Sequence, residues 1–164
     1  MSVHPLRPPS VPADPDGALA RLADHYRSMP PVAAMDIRID GYDGHCLRLS
    51  APLARHVNDK GCAFGGSLAS MMTLASWGVV SLHLERAGLK ADVFVADSQI
   101  GYLAPLFADL AVEAEAAPGA NWETFIATLR NRGRARIGIV AHARLPEGGS
   151  ATEFAARYVA IAKP

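Results

Sequence analysis

The chain has 164 residues, half of them apolar and a fifth charged, enough for one domain with a sizeable buried core. Sixteen basic residues balance sixteen acidic ones, so net charge gives no argument for a nucleic-acid partner and leaves self-association unopposed. Cys46 and Cys62 are too few for a disulfide framework and lack metal-ligand spacing, and no basic stretch followed by an apolar run opens the chain. The expectation is a cytoplasmic protein without a resident metal or membrane partner.

Residues 1–15 contain five prolines, Pro5, Pro8, Pro9, Pro12 and Pro15, and read as an irregular arm ahead of a single domain over 16–164. From Asp16, which can cap, Leu19, Leu22, Ala23 and Tyr26 recur at helical spacing until Pro30 and Pro31 stop the run. Residues 35–51 alternate instead, with Ile37 and Ile39 before the turn signal Asp43-Gly44 and Leu47 and Leu49 after it, which predicts a hairpin. A long segment over about 66–87 then carries Leu68, Met71, Met72, Ala75, Val79 and Leu82 as one stripe, widened by Leu74, Trp77 and Leu84. A helix apolar around most of its girth must be covered on most sides. Ser, Thr and Trp within it, His83, and Glu85 and Arg86 at its end suit a buried helix better than a membrane span.

After Gly88 the period drops to two. The stretches 91–104, 108–117, 122–131, 134–145 and 153–161 are predicted strands, separated by turn candidates at Pro105, Pro118-Gly119, Asn131 to Gly133 and Pro146 to Gly149. One long helix followed by hairpin-connected strands gives an α+β fold in which an antiparallel sheet wraps a central helix.

Chemistry concentrates in Asn58 to Ser67, NDKGCAFGGS, at the mouth of that helix. Glycines allow close approach to the backbone, and the unpaired amides of a first turn point at an incoming carbonyl or anion. Asn58, Gly61 and Phe64-Gly65-Gly66, with the strand ADSQIGYLAP that follows, resemble the hotdog fold of acyl-thioesterases and dehydratases. NDKGCAFGGSLAS, Trp77-Gly78 and VADSQIGYLAP together resemble the YiiD C-terminal domain family of thioesterases over about residues 30–160. The chain departs from the thioesterase pattern twice. Phe64 stands where that pattern has His, and Thr73 where many members place a catalytic Asp or Glu.

Asn58, Gly66 and Asp97 are the candidate catalytic residues. The Asn58 amide and the Gly65 and Gly66 backbone would hold the thioester carbonyl, or the Asn58 side chain would close its own loop. Val95, Asp97 and Gln99 share one face by alternation. A carboxylate there is costly to bury unless paired, so Asp97 is either a base that activates water or a structural bridge between strands. Asp59, beside Lys60, reads as half of a surface ion pair. Substrate contacts are expected from Phe64, Gly65, Ser67, Thr73 and Gln99. Ser67 sits in a string that mimics a nucleophile elbow without its last glycine or its strand-helix alternation, so it is read as a contact and not as a nucleophile. Cys62 and His56 lie six residues apart with nothing to fix their geometry, and His83 and Trp77 fall in the apolar stripe as core or interface. Arg130, Arg132, Arg134 and Arg136 surround a predicted hairpin tip, where Arg134 and Arg136 could steer the phosphates of coenzyme A or an acyl carrier protein.

The reading that follows is a thioesterase acting on acyl-CoA or acyl-carrier-protein thioesters, with coenzyme A or phosphopantetheine entering as part of the substrate and no separate cofactor. The resemblance also implies a homodimer or higher homo-oligomer. Two alternatives stand beside it: a malonyl-thioester decarboxylase feeding fatty-acid synthesis, whose enolate needs donors but no base for water, and a non-catalytic acyl-thioester binding module.

Overall fold

The computed structural model describes Asp14 and residues 16–164; the proline-rich arm expected over 1–15 lies, apart from Asp14, outside the described residues. Helix α1 (Ala18–Ser28) buries Leu19, Leu22 and Tyr26. Its cap comes from Asp14 and not from Asp16: the Asp14 carboxylate accepts from the Leu19 and Ala20 amides at 2.8 and 3.0 Å. Pro30 ends α1 and also opens a further short helix, α2 (Pro30–Ala33), where proline fits the first position.

Strands β1 (Arg38–Tyr42) and β2 (Leu47–Ala51) form the expected hairpin. The Asp43 carboxylate accepts from the His45 and Cys46 amides at the turn, and these bonds hold its carboxyl below the ordinary carboxylate range. A single 3-10 turn (Leu53–Arg55) leads to the site loop and to helix α3 (Gly65–Arg86). Strands β3 (Ala91–Tyr102), β4 (Leu110–Ala116), β5 (Arg134–Arg144) and β6 (Ser150–Ala162) complete one six-stranded sheet in the order β1-β2-β4-β5-β6-β3, antiparallel at every pairing. Helix α3 packs along one face of this sheet and buries residues on most sides, including Met71, Met72, Ala75, Val79 and Val80. The α+β arrangement of a central helix held by an antiparallel sheet is the one the sequence predicts.

Two local expectations are overturned. Residues 122–131 are not a strand but helix α4 (Trp122–Arg132), capped by Asn121, whose side chain accepts from the Thr124 amide, and ended by Gly133 at φ 69°. Phe125 and Leu129 bury one face of it, and the Trp122 ring stacks on His83 of α3 at 3.7 Å between centroids. The arginines therefore surround a helix-strand junction, not a hairpin tip. Arg130 donates to the Ala87 carbonyl at the end of α3 at 2.9 Å, whereas Arg134 and Arg136 are exposed on β5.

The second correction concerns β3. Its pairing with β6 shifts register between Val95 and Asp97, so Ala96 is an extra residue in the strand. Val95 pairs with Tyr158, whose hydroxyl donates to the Thr73 carbonyl of α3 at 2.8 Å, whereas Asp97 pairs with Arg157. Neighbours along β6 point to opposite faces. Val95 thus faces the helix, and Asp97 and Gln99 face away from it; the three do not share a face.

Candidate functional site

The loop before α3 is built by Asn58. Its backbone amide donates to the Cys62 carbonyl at 2.8 Å, and its side-chain oxygen accepts from the Lys60 and Cys62 amides at 2.9 and 3.2 Å. Nδ2 donates one hydrogen toward the Cys62 sulfur at 3.3 Å. An amide nitrogen carries two hydrogens, so the other remains available to a ligand. The loop-closing role is present, and a donor survives it.

An isolated bridge between Val57 and Ala63 closes the loop, and the Ala63 amide donates to the Leu106 carbonyl at 2.8 Å. The chain then enters α3. The Ser67 and Leu68 amides both donate to the Phe64 carbonyl, while the Gly65 and Gly66 amides meet no acceptor among the described residues. Each glycine lies against an aromatic ring. A Cβ on Gly65 would stand 3.2 Å from Tyr102, whose hydroxyl donates to the Gly65 carbonyl, and a Cβ on Gly66 would stand 2.5 Å from the Phe64 ring. Phe64 and Tyr102, both more than half exposed, set aromatic surface beside these two amides.

The remaining candidates fall elsewhere. Asp97 is exposed on the far face of the sheet, gripped by the Arg157 guanidinium, with Nε 2.9 Å from Oδ1 and Nη2 on Oδ2. Arg157, by this hydrogen bonding, holds the Asp97 carboxyl below the ordinary range, the opposite of what a base tuned near neutrality requires. Gln99 and Arg157 share that face with Asp97 around a shallow hollow, and Arg136 acts electrostatically on the same carboxylate. Asp59 pairs with Lys60 at 3.0 Å. Thr73 donates to the Ala69 carbonyl at 2.8 Å and lines a cleft of about 610 Å³ between α1, α3 and β3, with Leu74, Trp77, Val93 and Val95. That cleft lies on the order of 10 Å along α3 from Gly66, at 1.5 Å per residue.

Cys62 and His56 do not pair. The His56 ring, 4 % exposed, reaches the Ser67 hydroxyl with Nδ1 at 2.9 Å and the Met35 carbonyl with Nε2 at 2.7 Å. No spacing rule brings His56 and Ser67 together; the loop between them does.

A long helix laid on one face of a six-stranded antiparallel sheet, with free glycine amides at its mouth, defines a hotdog protein. Within that class the chain belongs to the putative thioesterase family described by the YiiD C-terminal domain, whose model matches residues 19–162. Two solved structures are more than a quarter identical to it where they align. A Chlorobaculum tepidum protein of unknown function is 27 % identical, with a TM-score of 0.85 over 91 % of this chain and 97 % of that one. A putative thioesterase from Shewanella oneidensis is 28 % identical, with a TM-score of 0.80 over 89 % of this chain and 99 % of that one. A Pseudomonas aeruginosa protein at 18 % identity and a TM-score of 0.75, covering 93 % and 99 % of the two chains, shares the fold.

Proposed function

We propose that the chain hydrolyses acyl thioesters of coenzyme A or of an acyl carrier protein, with the thioester carbonyl held by the Gly65 and Gly66 amides and the free Nδ2 hydrogen of Asn58. The observation that carries this reading is the pair of unpaired amides at the start of a 22-residue helix, ringed by Phe64 and Tyr102. Donors already aimed at an incoming oxygen need no reorganisation as charge develops there, and the helix dipole adds to them. An acyl group seated against Phe64 and Tyr102 would displace water from the same spot and so strengthen each bond.

Decarboxylation of a malonyl thioester is the second reading, favoured by one specific observation: Asp97 lies across the sheet from α3 and Asp59 is tied to Lys60. Loss of carbon dioxide leaves an enolate that needs donors and no water-activating base. The two readings separate when malonyl- and longer acyl-thioesters are incubated with the protein and free thiol and carbon dioxide are followed separately. Thiol release without carbon dioxide supports hydrolysis. Carbon dioxide with the acetyl thioester left intact replaces it by decarboxylation, and neither product leaves a binding module.

We also read the chain as a homodimer. Strand β3, twelve residues long, is the last strand of the sheet, with an edge unpaired among the described residues and Phe94 and Val95 exposed upon it, the arrangement that invites a second strand. For the substrate's phosphates, exposed Arg134 and Arg136 offer a guanidinium surface, whose use would appear as a Michaelis constant that rises with salt.

A further inference from the structure

We propose that Ser67 is a covalent nucleophile and His56 its general base, so that the substitutions of Phe64 and Thr73 at the expected catalytic positions leave the chain with a different catalytic pair. The inference rests on the acyl-thioester reading and adds to it an acyl-enzyme intermediate.

The geometry begins with the direction of one hydrogen bond. A carbonyl only accepts, so the 2.7 Å contact between His56 Nε2 and the Met35 oxygen places the hydrogen on Nε2. In that tautomer Nδ1 presents its lone pair to Ser67, and the Ser67 hydroxyl donates into it at 2.9 Å. This is the polarity a nucleophile and its base require: hydroxyl to ring nitrogen, with the far side of the ring fixed by a third group. The orienting group is a neutral carbonyl in place of a carboxylate.

Rigidity comes from the backbone. The His56 carbonyl accepts from the Phe64 amide at 2.7 Å, so the base is tied to the residue that opens α3, three positions before the hydroxyl it serves. Ser67 itself is only partly buried, and its oxygen has no second partner among the described residues. The Gly65 and Gly66 amides precede it on the same turn. Nucleophile, base, orienting carbonyl and oxyanion donors therefore meet at one helix mouth.

Water is the one further reactant this hydrolysis needs. Ser67 Oγ bonds to the thioester carbonyl carbon as its proton passes to His56 Nδ1, and the oxygen of the tetrahedral intermediate sits on the glycine amides. The carbon-sulfur bond breaks, the thiolate leaves with the proton from His56, and the acyl group remains as an ester on Ser67. Water then attacks that ester, giving its proton to Nδ1, and the carboxylic acid departs as the proton returns to Ser67.

The experiment has two arms on the full chain. In the first, the protein is mixed with an acyl-CoA, quenched in acid and weighed intact; an adduct of the acyl mass on the peptide holding Ser67 is expected, absent in Ser67→Ala. In the second, a fluorophosphonate, which marks activated serines whatever their acyl preference, should label Ser67. Labelling should vanish in Ser67→Ala and fall at least tenfold in His56→Gln confirmed folded by circular dichroism. Turnover in Ser67→Ala should drop at least about a thousandfold, on the way to the roughly millionfold loss that deleting a serine nucleophile costs in a protease. Undiminished thioester turnover in Ser67→Ala, or an unlabelled Ser67 in the native protein, overturns the nucleophile while leaving the thioester reading intact. Labelled Ser67 with no turnover of any thioester keeps the nucleophile and removes the thioester reading.

Discussion

Asn58 holds the Lys60 and Cys62 amides with its carbonyl oxygen and keeps one Nδ2 hydrogen free of the loop. The two duties can be separated. Asn58→Asp retains the acceptor and loses the donor, so its urea midpoint should stay near that of the parent while kcat falls on the order of a hundredfold, the usual cost of one oxyanion donor. Asn58→Ala loses both and should also unfold about 1–2 kcal/mol more easily; an Asn58→Asp enzyme with full activity would remove the side chain from the mechanism. His83 gives a second prediction at this scale. Its ring lies against Trp122, its Nε2 is buried without a partner, and burial, aided by Arg86 and His45, pushes its pKa down to about 4. The unfolded chain takes up this proton near pH 6.5 and the folded chain only near 4, so the contribution is whole above 6.5 and is lost as pH falls between the two. After solvent screening it should amount to roughly 2 kcal/mol. His83→Phe should flatten the fall in stability between pH 6.5 and 4.5 relative to the parent chain. Of these residues the sequence shows Asn58 and the glycines plainly, because a polar amide and a glycine pair before an apolar run have few other uses. The tie between His56 and Ser67 is hidden, since they lie eleven positions apart with irregular loop over most of the way between them.

At the scale of elements, α1, α3 and the sheet meet at Gly78. A Cβ there would stand 2.5 Å from the Tyr26 hydroxyl and 2.7 Å from Leu47, and Tyr26 cannot yield easily because it donates to the Leu74 carbonyl at 2.6 Å. Gly78→Ala should destabilise by about 1–3 kcal/mol, read from denaturant midpoints. Tyr26→Phe removes the atom in the way, so the double variant should be more stable than the sum of the single effects; strict additivity would show that the clash is relieved elsewhere. Helix α4 was legible in principle. Trp122, Phe125, Ile126 and Leu129 follow helical spacing and Asn121 and Gly133 are cap residues. Yet Phe125, Ala127 and Leu129 also alternate, and a segment of eleven residues between strands satisfies both periods. Burial of Phe125 and Leu129 on one side decides for the helix.

For the whole molecule, the order of long helix and antiparallel strands is readable because the period drops to two after Gly88 and only α4 interrupts it. The proposed dimer enters the sequence reading only through the resemblance, and the β3 edge that supports it is seen only when the strand order places it last. Sedimentation velocity at micromolar concentration should give a dimer, and Phe94→Glu together with Val95→Glu should shift it toward monomer with loss of turnover. A native chain sedimenting as a monomer up to 100-fold higher concentration would refute the assembly.

The extra residue in β3 reaches further than its size suggests. From Asp97 onward it inverts which side chains the strand delivers to each face, so Ser98, Ile100 and Tyr102 arrive beside α3 and Asp97 and Gln99 do not. Tyr102 touches Gly65 only because of this inversion. Ala96 thus absorbs one count of the alternation: paired as a regular residue it would carry the Asp97 carboxylate to the helix mouth and turn Tyr102 away, whereas deleting it would straighten the strand with both rows unchanged. The chemistry at this site therefore depends on the bulge and not on the alanine: healing it in place would change which side chains reach the helix, and losing the residue would not.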